Sequence, residues 1–267
     1  MPELPEVEAV CRRLRETLRS PRIFELRISR ASITRPQSPD EVAGQCRGRR
    51  IAEVARLGKN ILLHLDDGHF LRVHLRMTGN LYVVPDARFQ QIGGRAQFRM
   101  SDNSAIVFDD PRALGKIHLH DSGGLADLRD EIGPEPRELS APQFAEAAKS
   151  TRLPVKLFLM DQKRIAGLGN IYAAECLFRA RIHPARPANS LSRATLARLH
   201  GKAVEVLAEG MESAWKAYAA PGAFAEGETF AVEVYDREGE PCGRCRRKIR
   251  RMRQGGRSTY FCPGCQR

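Results

Sequence analysis

The two ends of the chain carry residue types able to do chemistry. It opens MPELPEVEAV, and removal of Met1 would expose Pro2 as a free secondary amine beside the carboxylate of Glu3. Such an amine can attack an electrophilic carbon and form an iminium. An α-amino group titrates near pH 8, roughly two units below a lysine, so some free amine exists at neutral pH without special burial. Proline at position two permits removal of the initiator, so a mature chain starting at Pro2 is expected. The same residues also suit an ordinary helix start, since proline fits the first turn and acids suit its positive end.

At the other end stand CGRC at 242–245 and CPGC at 262–265, with sixteen residues between them. Each CxxC turns tightly enough to aim two thiolates at one ion, and two such knuckles complete a tetrahedron. Cys242, Cys245, Cys262 and Cys265 are therefore the expected ligands of one structural Zn2+. Two disulfides are the alternative, which a reducing cytosol disfavours. Cys11, Cys46 and Cys176 are scattered and read as small interior residues. Residues 242–267 hold nine Lys or Arg and no acid. A solvated face mixes signs, so this one-sign β-hairpin points to phosphate contact. Gly255 and Gly256 mark its tip and would carry Arg257 outward.

The whole chain shares that bias. Its 267 residues include 44 Lys and Arg against 32 Asp and Glu, a net charge of +12. That balance calls for a polyanionic partner, nucleic acid before membrane. No apolar run reaches membrane-spanning length, and charges stand where a signal peptide needs its apolar centre. A cytoplasmic location is expected, nucleoid-associated when bound to DNA. No feature calls for a partner protein, so a monomer is expected.

The elements that must position these residues fall into three stretches. Val7, Val10, Leu14 and Leu18 recur at a helical period, and Pro21 is expected to stop that helix. From 23 to about 120 the pattern turns to short β-like runs: FELRIS, IAEVARLG, NILLHL, FLRVHL, AQFRM and AIVFDD. Turn signals separate them, which predicts a β-sandwich behind a leading helix. After a hinge at Gly133–Pro136, residues 141–217 read helical. Within them DQKRIAGLGNIYAAECLFRARIHP places Gly167 and Gly169 just before a helix starting near Asn170. A helix entered through glycines offers unpaired amides to a phosphate, or simply makes a packing joint.

MPELPEVE, LGKN at 57–60, DPRALG at 110–115, the stretch 161–184 and the terminal CxxC pair, in this order, resemble the formamidopyrimidine-DNA glycosylase and endonuclease VIII family. The resemblance covers essentially the whole chain, and Leu4 is more like the formamidopyrimidine branch. It implies an α+β multidomain fold: helix plus β-sandwich over 1–132, a helix–two-turns–helix domain over 133–230, and a zinc ribbon over 231–267. It also implies a bifunctional DNA glycosylase and abasic-site lyase of base excision repair. The substrate would be double-stranded DNA carrying oxidised bases, chiefly formamidopyrimidines and 8-oxoguanine, or abasic sites.

By the same resemblance, Pro2 attacks C1′ of a flipped nucleotide and Glu3 donates the proton that helps open the sugar, with Glu6 in support. Lys59 serves β-elimination and Arg257 serves δ-elimination and phosphate contact. Asn170 and Lys156 pinch the phosphates, with Arg152 close by, while Met77 and Arg112 enter the gap left by the flipped base. Three positions depart from the formamidopyrimidine branch: Leu114 replaces an aromatic, Arg95 replaces a DNA-contacting histidine, and 210–230 lacks the usual start of the loop covering 8-oxoguanine. Two other readings stay open, the first of them on the departures at Leu114 and 210–230. One is an endonuclease VIII-like preference for oxidised pyrimidines; the other is a non-catalytic zinc-ribbon protein that binds damaged DNA.

Overall fold

The computed structural model describes residues 2–19, 22–85, 93–217 and 230–267. Met1, the expected helix stop at Pro21 and most of the departing stretch 210–230 lie outside them. Two compact units divide the chain: residues 1–129 with 211–229, and residues 130–210 with 230–267.

The first unit begins with α1 (Leu4–Thr17), which ends before Pro21 with Leu18 as its cap. Leu4, Val7, Val10, Cys11 and Leu14 form its buried stripe. Burying each large apolar side chain here contributes about 1.5–3 kcal/mol. Behind it stands the expected sandwich, built from β1 (Ile23–Ile28), β2 (Ile51–Leu57), β3 (Asn60–Leu65), β4 (Phe70–His74), β5 (Asn80–Val84), β6 (Ala96–Met100), β7 (Ala105–Asp109) and β8 (Lys116–His120). One antiparallel sheet has the order β1-β6-β7-β5, the other β2-β3-β4-β8. The core between them joins α1 to Leu26, Ile61, Leu63, Leu71, Val73, Phe98, Ile106, Phe108 and Ile117.

Strands β5 and β8 and the helix α2 (Pro39–Cys46) are additions to the sequence reading. The signal for α2 is a capping box, in which Ser38 Oγ accepts from Glu41 N at 3.1 Å. The topology has one consequence for function. The connections β4–β5 and β7–β8 both cross from one sheet to the other, and β4 pairs with β8 while β5 pairs with β7. Residues 75–79 and 110–115 therefore run side by side at one end of the sandwich.

In the second unit, α4 (Ala141–Lys149), α5 (Val155–Met160), α6 (Asn170–Arg179) and the first part of α7 (Arg193–Ala217) surround Phe144, Phe158, Tyr172, Phe178, Leu196 and Leu199. A short helix, α3 (Gly124–Glu131), precedes them. The chain ends in the hairpin β9 (Arg250–Gln254) and β10 (Arg257–Phe261). Its satellite core of Val234, Ile249 and Tyr260 rests on Ala174 and Phe178 of α6. Among the described residues no helix is long and apolar enough to cross a membrane.

Candidate active site and nucleic-acid interface

The first unit holds the N-terminal chemistry. Pro2 and Glu3 are buried, Glu3 completely. Glu6 returns its carboxylate to the backbone, Oε2 accepting the Glu3 N–H at 2.8 Å. This caps the helix and fixes the backbone from which Pro2 and Glu3 project. Helix α1 runs antiparallel to β2: Arg15 Nε donates to Val54 O, Cys11 meets Ala55 O, and Glu8 meets Arg56. That progression brings the helix start to the β2–β3 turn, where Lys59 stands. Burial would raise the Glu8 carboxyl pKa, but hydrogen bonds from Arg56 and Arg15 leave it lowered. The anchor is therefore ionised at neutral pH. Arg56 continues the link, donating Nη1 to Gly58 O at 3.0 Å.

The β2–β3 turn consists of Gly58 and Lys59 alone, since Leu57 pairs with Asn60. Gly58 has φ +56°, a left-handed conformation that a two-residue hairpin loop favours. Asn60 steadies the turn by donating Nδ2 to Leu57 O and accepting from Arg72 Nε. Lys59 is half-buried, which fits an acting group better than the solvated lysine its exposure-prone type would suggest. Opposite Asn60 lies His74, whose pKa burial, then the charges of Arg76, Lys59 and Arg72, push down to about 3.

The two crossing loops carry Met77, Arg112 and Leu114. Met77 and Leu114 are 41% and 40% exposed, unusual for large apolar side chains outside a core. The loops bring Met77 and Arg112 together, with Arg112 Nη1 3.7 Å from Met77 Sδ. Arg95 is half-buried, and two of its three nitrogens are engaged inside the protein. Nε donates to Asp110 O at 2.8 Å and Nη2 to Pro111 O at 2.7 Å.

In the second unit, Asn170 is the first residue of α6, entered through Gly167 at φ +96° and the cap residue Gly169. Gln162 closes the preceding loop, donating to Met160 O and Leu168 O and accepting from Gly167 N. Lys156 differs from the expectation that it touches phosphate. Its side chain is 0% exposed, and Nζ donates to Asn170 Oδ1 at 2.6 Å, Thr259 Oγ1 at 2.6 Å and Ser258 O at 2.9 Å. An ammonium has three donors, and these three acceptors can engage all of them. Arg152 is exposed ahead of α5, and Arg257 is exposed where β10 leaves the Gly255–Gly256 turn. Both glycines have positive φ, +54° and +76°, as a type I′ turn requires.

Asp110 and Glu175, both completely buried, were given no role from the sequence. Asp110 is treated below. Glu175 on α6 accepts the backbone N–H groups of Glu233, Val234 and Tyr235 at 2.8, 3.0 and 2.8 Å. Burial raises its pKa despite those donors. It fastens the start of the ribbon segment to α6. The only sequence signal was an acid on the apolar side of a helix.

At the ribbon, Sγ of Cys242, Cys245, Cys262 and Cys265 all lie within 4.8 Å of one another. Cys242–Cys265 and Cys245–Cys262 are separated by 3.8 and 3.4 Å. A tetrahedron of thiolates at about 2.3 Å from zinc has edges near these values, whereas a disulfide needs about 2.05 Å. The donor set fits zinc.

Family models match three successive regions. Residues 1–117 match the formamidopyrimidine-DNA glycosylase N-terminal domain, 132–218 its H2TH domain, and 239–267 a zinc finger found in FPG and IleRS. The zinc-finger match and the four-thiol cluster assign one structural zinc to the ribbon. A formamidopyrimidine-DNA glycosylase of Chloroflexus aggregans is 39% identical over 279 residues, spanning 100% of this chain and 98% of that protein. One of Roseobacter denitrificans is 38% identical, with both chains covered fully. The crystal structure of the Lactococcus lactis enzyme bound non-covalently to DNA containing an abasic site aligns with a TM-score of 0.87 at 27% identity over 100% of both chains. Its complex with DNA containing Fapy-dG gives a TM-score of 0.88 at 28% identity, over 99% of this chain and 100% of that one. Helix, sandwich, helical domain and ribbon thus recur in the same order from end to end, and the chain belongs to the formamidopyrimidine-DNA glycosylase family.

Proposed function

We propose that this chain is a bifunctional DNA glycosylase and abasic-site lyase of base excision repair that removes oxidised purines, formamidopyrimidines and 8-oxoguanine among them. The observation carrying this reading is the buried Pro2–Glu3 pair at the capped start of α1, brought to the turn that bears Lys59. A binding module would have no use for an amine and a carboxylate sequestered together.

The chemistry follows in order. Once Met1 is removed, the unprotonated nitrogen of Pro2 attacks C1′ of the flipped nucleotide, and the base leaves with the bonding pair. Glu3 supplies the proton that opens the sugar, leaving an iminium between Pro2 and C1′. Loss of a proton from C2′ then expels the 3′-phosphate, with Lys59 as the proton donor in that elimination. Arg257 holds the phosphate and assists the second elimination. Asn170 and Arg152 bind the backbone, Lys156 holds Asn170 in place, and Arg95 has Nη1 remaining for a phosphate. Zinc supplies a cross-link for a segment too small to build its own core, and Cys242, Cys245, Cys262 and Cys265 hold it. The proposed division of labour is catalysis over 1–132, DNA grip over 133–230 and ribbon contact over 231–267. The proposed location is the cytoplasm, on the nucleoid when bound.

Borohydride trapping tests this reading. Matched duplexes would carry 8-oxoguanine opposite cytosine, 5-hydroxyuracil, or an abasic site, and mass spectrometry would verify that the protein starts at Pro2. A covalent adduct that Pro2→Gly abolishes, stronger with 8-oxoguanine than with 5-hydroxyuracil, is expected. A stronger adduct with 5-hydroxyuracil would move the chain to the pyrimidine preference. No adduct on any duplex would leave a DNA-binding protein without catalysis.

A further inference from the structure

Asp110 has no part in the chemistry above, yet its surroundings are tightly constrained. It directly follows β7 and opens the crossing to β8, and it is 0% exposed. Oδ1 accepts from Thr78 Oγ1 at 2.5 Å, across from the neighbouring loop. Oδ2 accepts from the Gly115 N–H at 2.7 Å, at the far end of its own loop. Its backbone carbonyl accepts from Ala113 N at 3.0 Å and Arg95 Nε at 2.8 Å. A carboxylate out of water is costly unless its lone pairs are satisfied, so each donor here is firmly required.

The backbone around it is equally committed. Arg76 and Ala113 have φ of +57° and +51°, beside Met77 and between Arg112 and Leu114. Each left-handed residue costs about 1–2 kcal/mol and persists only where its surroundings hold it. A Cβ on Gly115 would lie 2.4 Å from Phe108 Cζ and 3.2 Å from Asp110 Oδ2, so only glycine lets the loop close onto the carboxylate. The exposed side chains of both loops are thus fixed from beneath by one buried group.

We propose that Asp110 is a positioning residue, joined to Thr78 and the Gly115 amide so that Met77, Arg112 and Leu114 enter a duplex as one preset unit. This rests on the reading that those three side chains fill the gap left by a flipped nucleotide. Two loops that moved independently would have to be ordered during insertion, whereas loops held on one carboxylate are ordered beforehand. Arg95 belongs to the same device, since its guanidinium holds the carbonyls of Asp110 and Pro111. Asp110 cannot touch DNA from where it lies; it acts through its neighbours.

The test uses full-length, zinc-loaded protein starting at Pro2. Thr78→Val keeps the shape and removes the hydroxyl donor to Asp110. Single-turnover excision of 8-oxoguanine from a fully paired duplex is expected to slow about tenfold, a loss in the range that small misplacements cause. Nicking of an abasic site in single-stranded DNA needs no insertion and is expected to stay within about twofold. Thr78→Ser restores the hydroxyl and should bring paired-duplex excision back to within about twofold of the unaltered protein. A 2-aminopurine beside the lesion should report slower insertion for Thr78→Val. Met77→Ala separates the two layers of the inference. If Met77→Ala slows paired and single-stranded substrates alike, the wedge reading falls and the proposal with it. If Met77→Ala is selective for the paired duplex while Thr78→Val changes nothing or slows both substrates equally, the wedge stands and the Asp110 device is overturned.

Discussion

Asp110 in the sandwich and Lys156 in the helical unit are both charged, completely buried and placed beneath residues that face DNA in the proposed function. Their partners differ. Asp110 is held by a hydroxyl and an amide from two adjacent loops of a sheet-to-sheet crossing. Lys156 joins three elements, reaching from α5 to Asn170 on α6 and to Ser258 and Thr259 on β10. In the proposed function the sandwich would set its wedge without zinc, whereas the grip of the helical unit would depend on the ribbon to complete its anchor. In both cases the charge works one layer below the contact.

The harshest way to break that comparison is to remove the metal. Cys262→Ser, or chelation, takes away a ligand at the end of β10, and with it the strand that supplies two of the three Lys156 acceptors. We expect strand nicking to fall by at least about a hundredfold, since ribbon folding and metal binding are one process. Circular dichroism and limited proteolysis should find the sandwich still folded. Full activity in verified zinc-free protein would show that Lys156 keeps its geometry without the ribbon.

The next test separates an internal lysine from a phosphate contact. Lys156→Met strands buried acceptors and should destabilise the helical unit by about 3 kcal/mol, measured by urea denaturation. The salt dependence of duplex binding decides the role. A lysine on a phosphate contributes about 0.9 to the slope of log K against log salt concentration. Lys156→Met is expected to leave that slope unchanged, and Arg257→Gln to reduce it by about 0.9. A reduced slope for Lys156→Met, with stability intact, would put its ammonium on DNA and end the parallel with Asp110.

These residues also show what could be seen without coordinates. Six of the eight sandwich strands, the long helices and the ribbon were legible because period-2 runs, 3.6-period stripes and CxxC spacing are properties of consecutive residues. Pro2, Lys59, Asn170 and Arg257 could be singled out because each lies in a motif whose order along the chain is itself informative. The direction in which a long side chain points was not legible. Lys156 was placed at a phosphate by the resemblance, and only the arrival of Ser258 and Thr259, about a hundred residues later, turns it inward. Arg95 was placed at DNA by the family resemblance, while its guanidinium answers to carbonyls fifteen and sixteen residues on. Asp110 was quoted within DPRALG and passed over, because its partner Thr78 stands on another loop. The edge strands β5 and β8 were missed because Asn80, Lys116 and two histidines dilute their apolar pattern.

A smaller effect sharpens the wedge half of the comparison. Leu114 is exposed and aliphatic at the point where an aromatic would stack on a base pair. Leu114→Phe adds a stacking surface worth about 0.5–1 kcal/mol, which corresponds to a twofold to fivefold faster excision from a paired duplex. Single-stranded abasic DNA should not distinguish the two proteins. An equal gain on both substrates would mean that the side chain touches the reacting strand and not the gap.

A pH-dependent effect concerns the loop that carries Met77. His74 Nδ1 accepts the Arg76 N–H at 3.0 Å, which requires an unprotonated nitrogen, and burial pushes its pKa down to about 3. An unfolded histidine titrates near 6.5, so between about pH 6.5 and about pH 3 the unfolded chain binds the proton and the folded chain does not. Stability is therefore complete above about pH 6.5 and declines as the pH falls below it. The decline should reach about 1–2 kcal/mol by about pH 5. His74→Asn can keep an acceptor near the same place without titrating, so its decline over this window should be shallower by that amount in thermal denaturation at matched salt. Parallel curves for the two proteins would mean that folded His74 takes up the proton as readily as the unfolded chain. The left-handed turn at Arg76 would then be held from the Asp110 side alone, through Thr78.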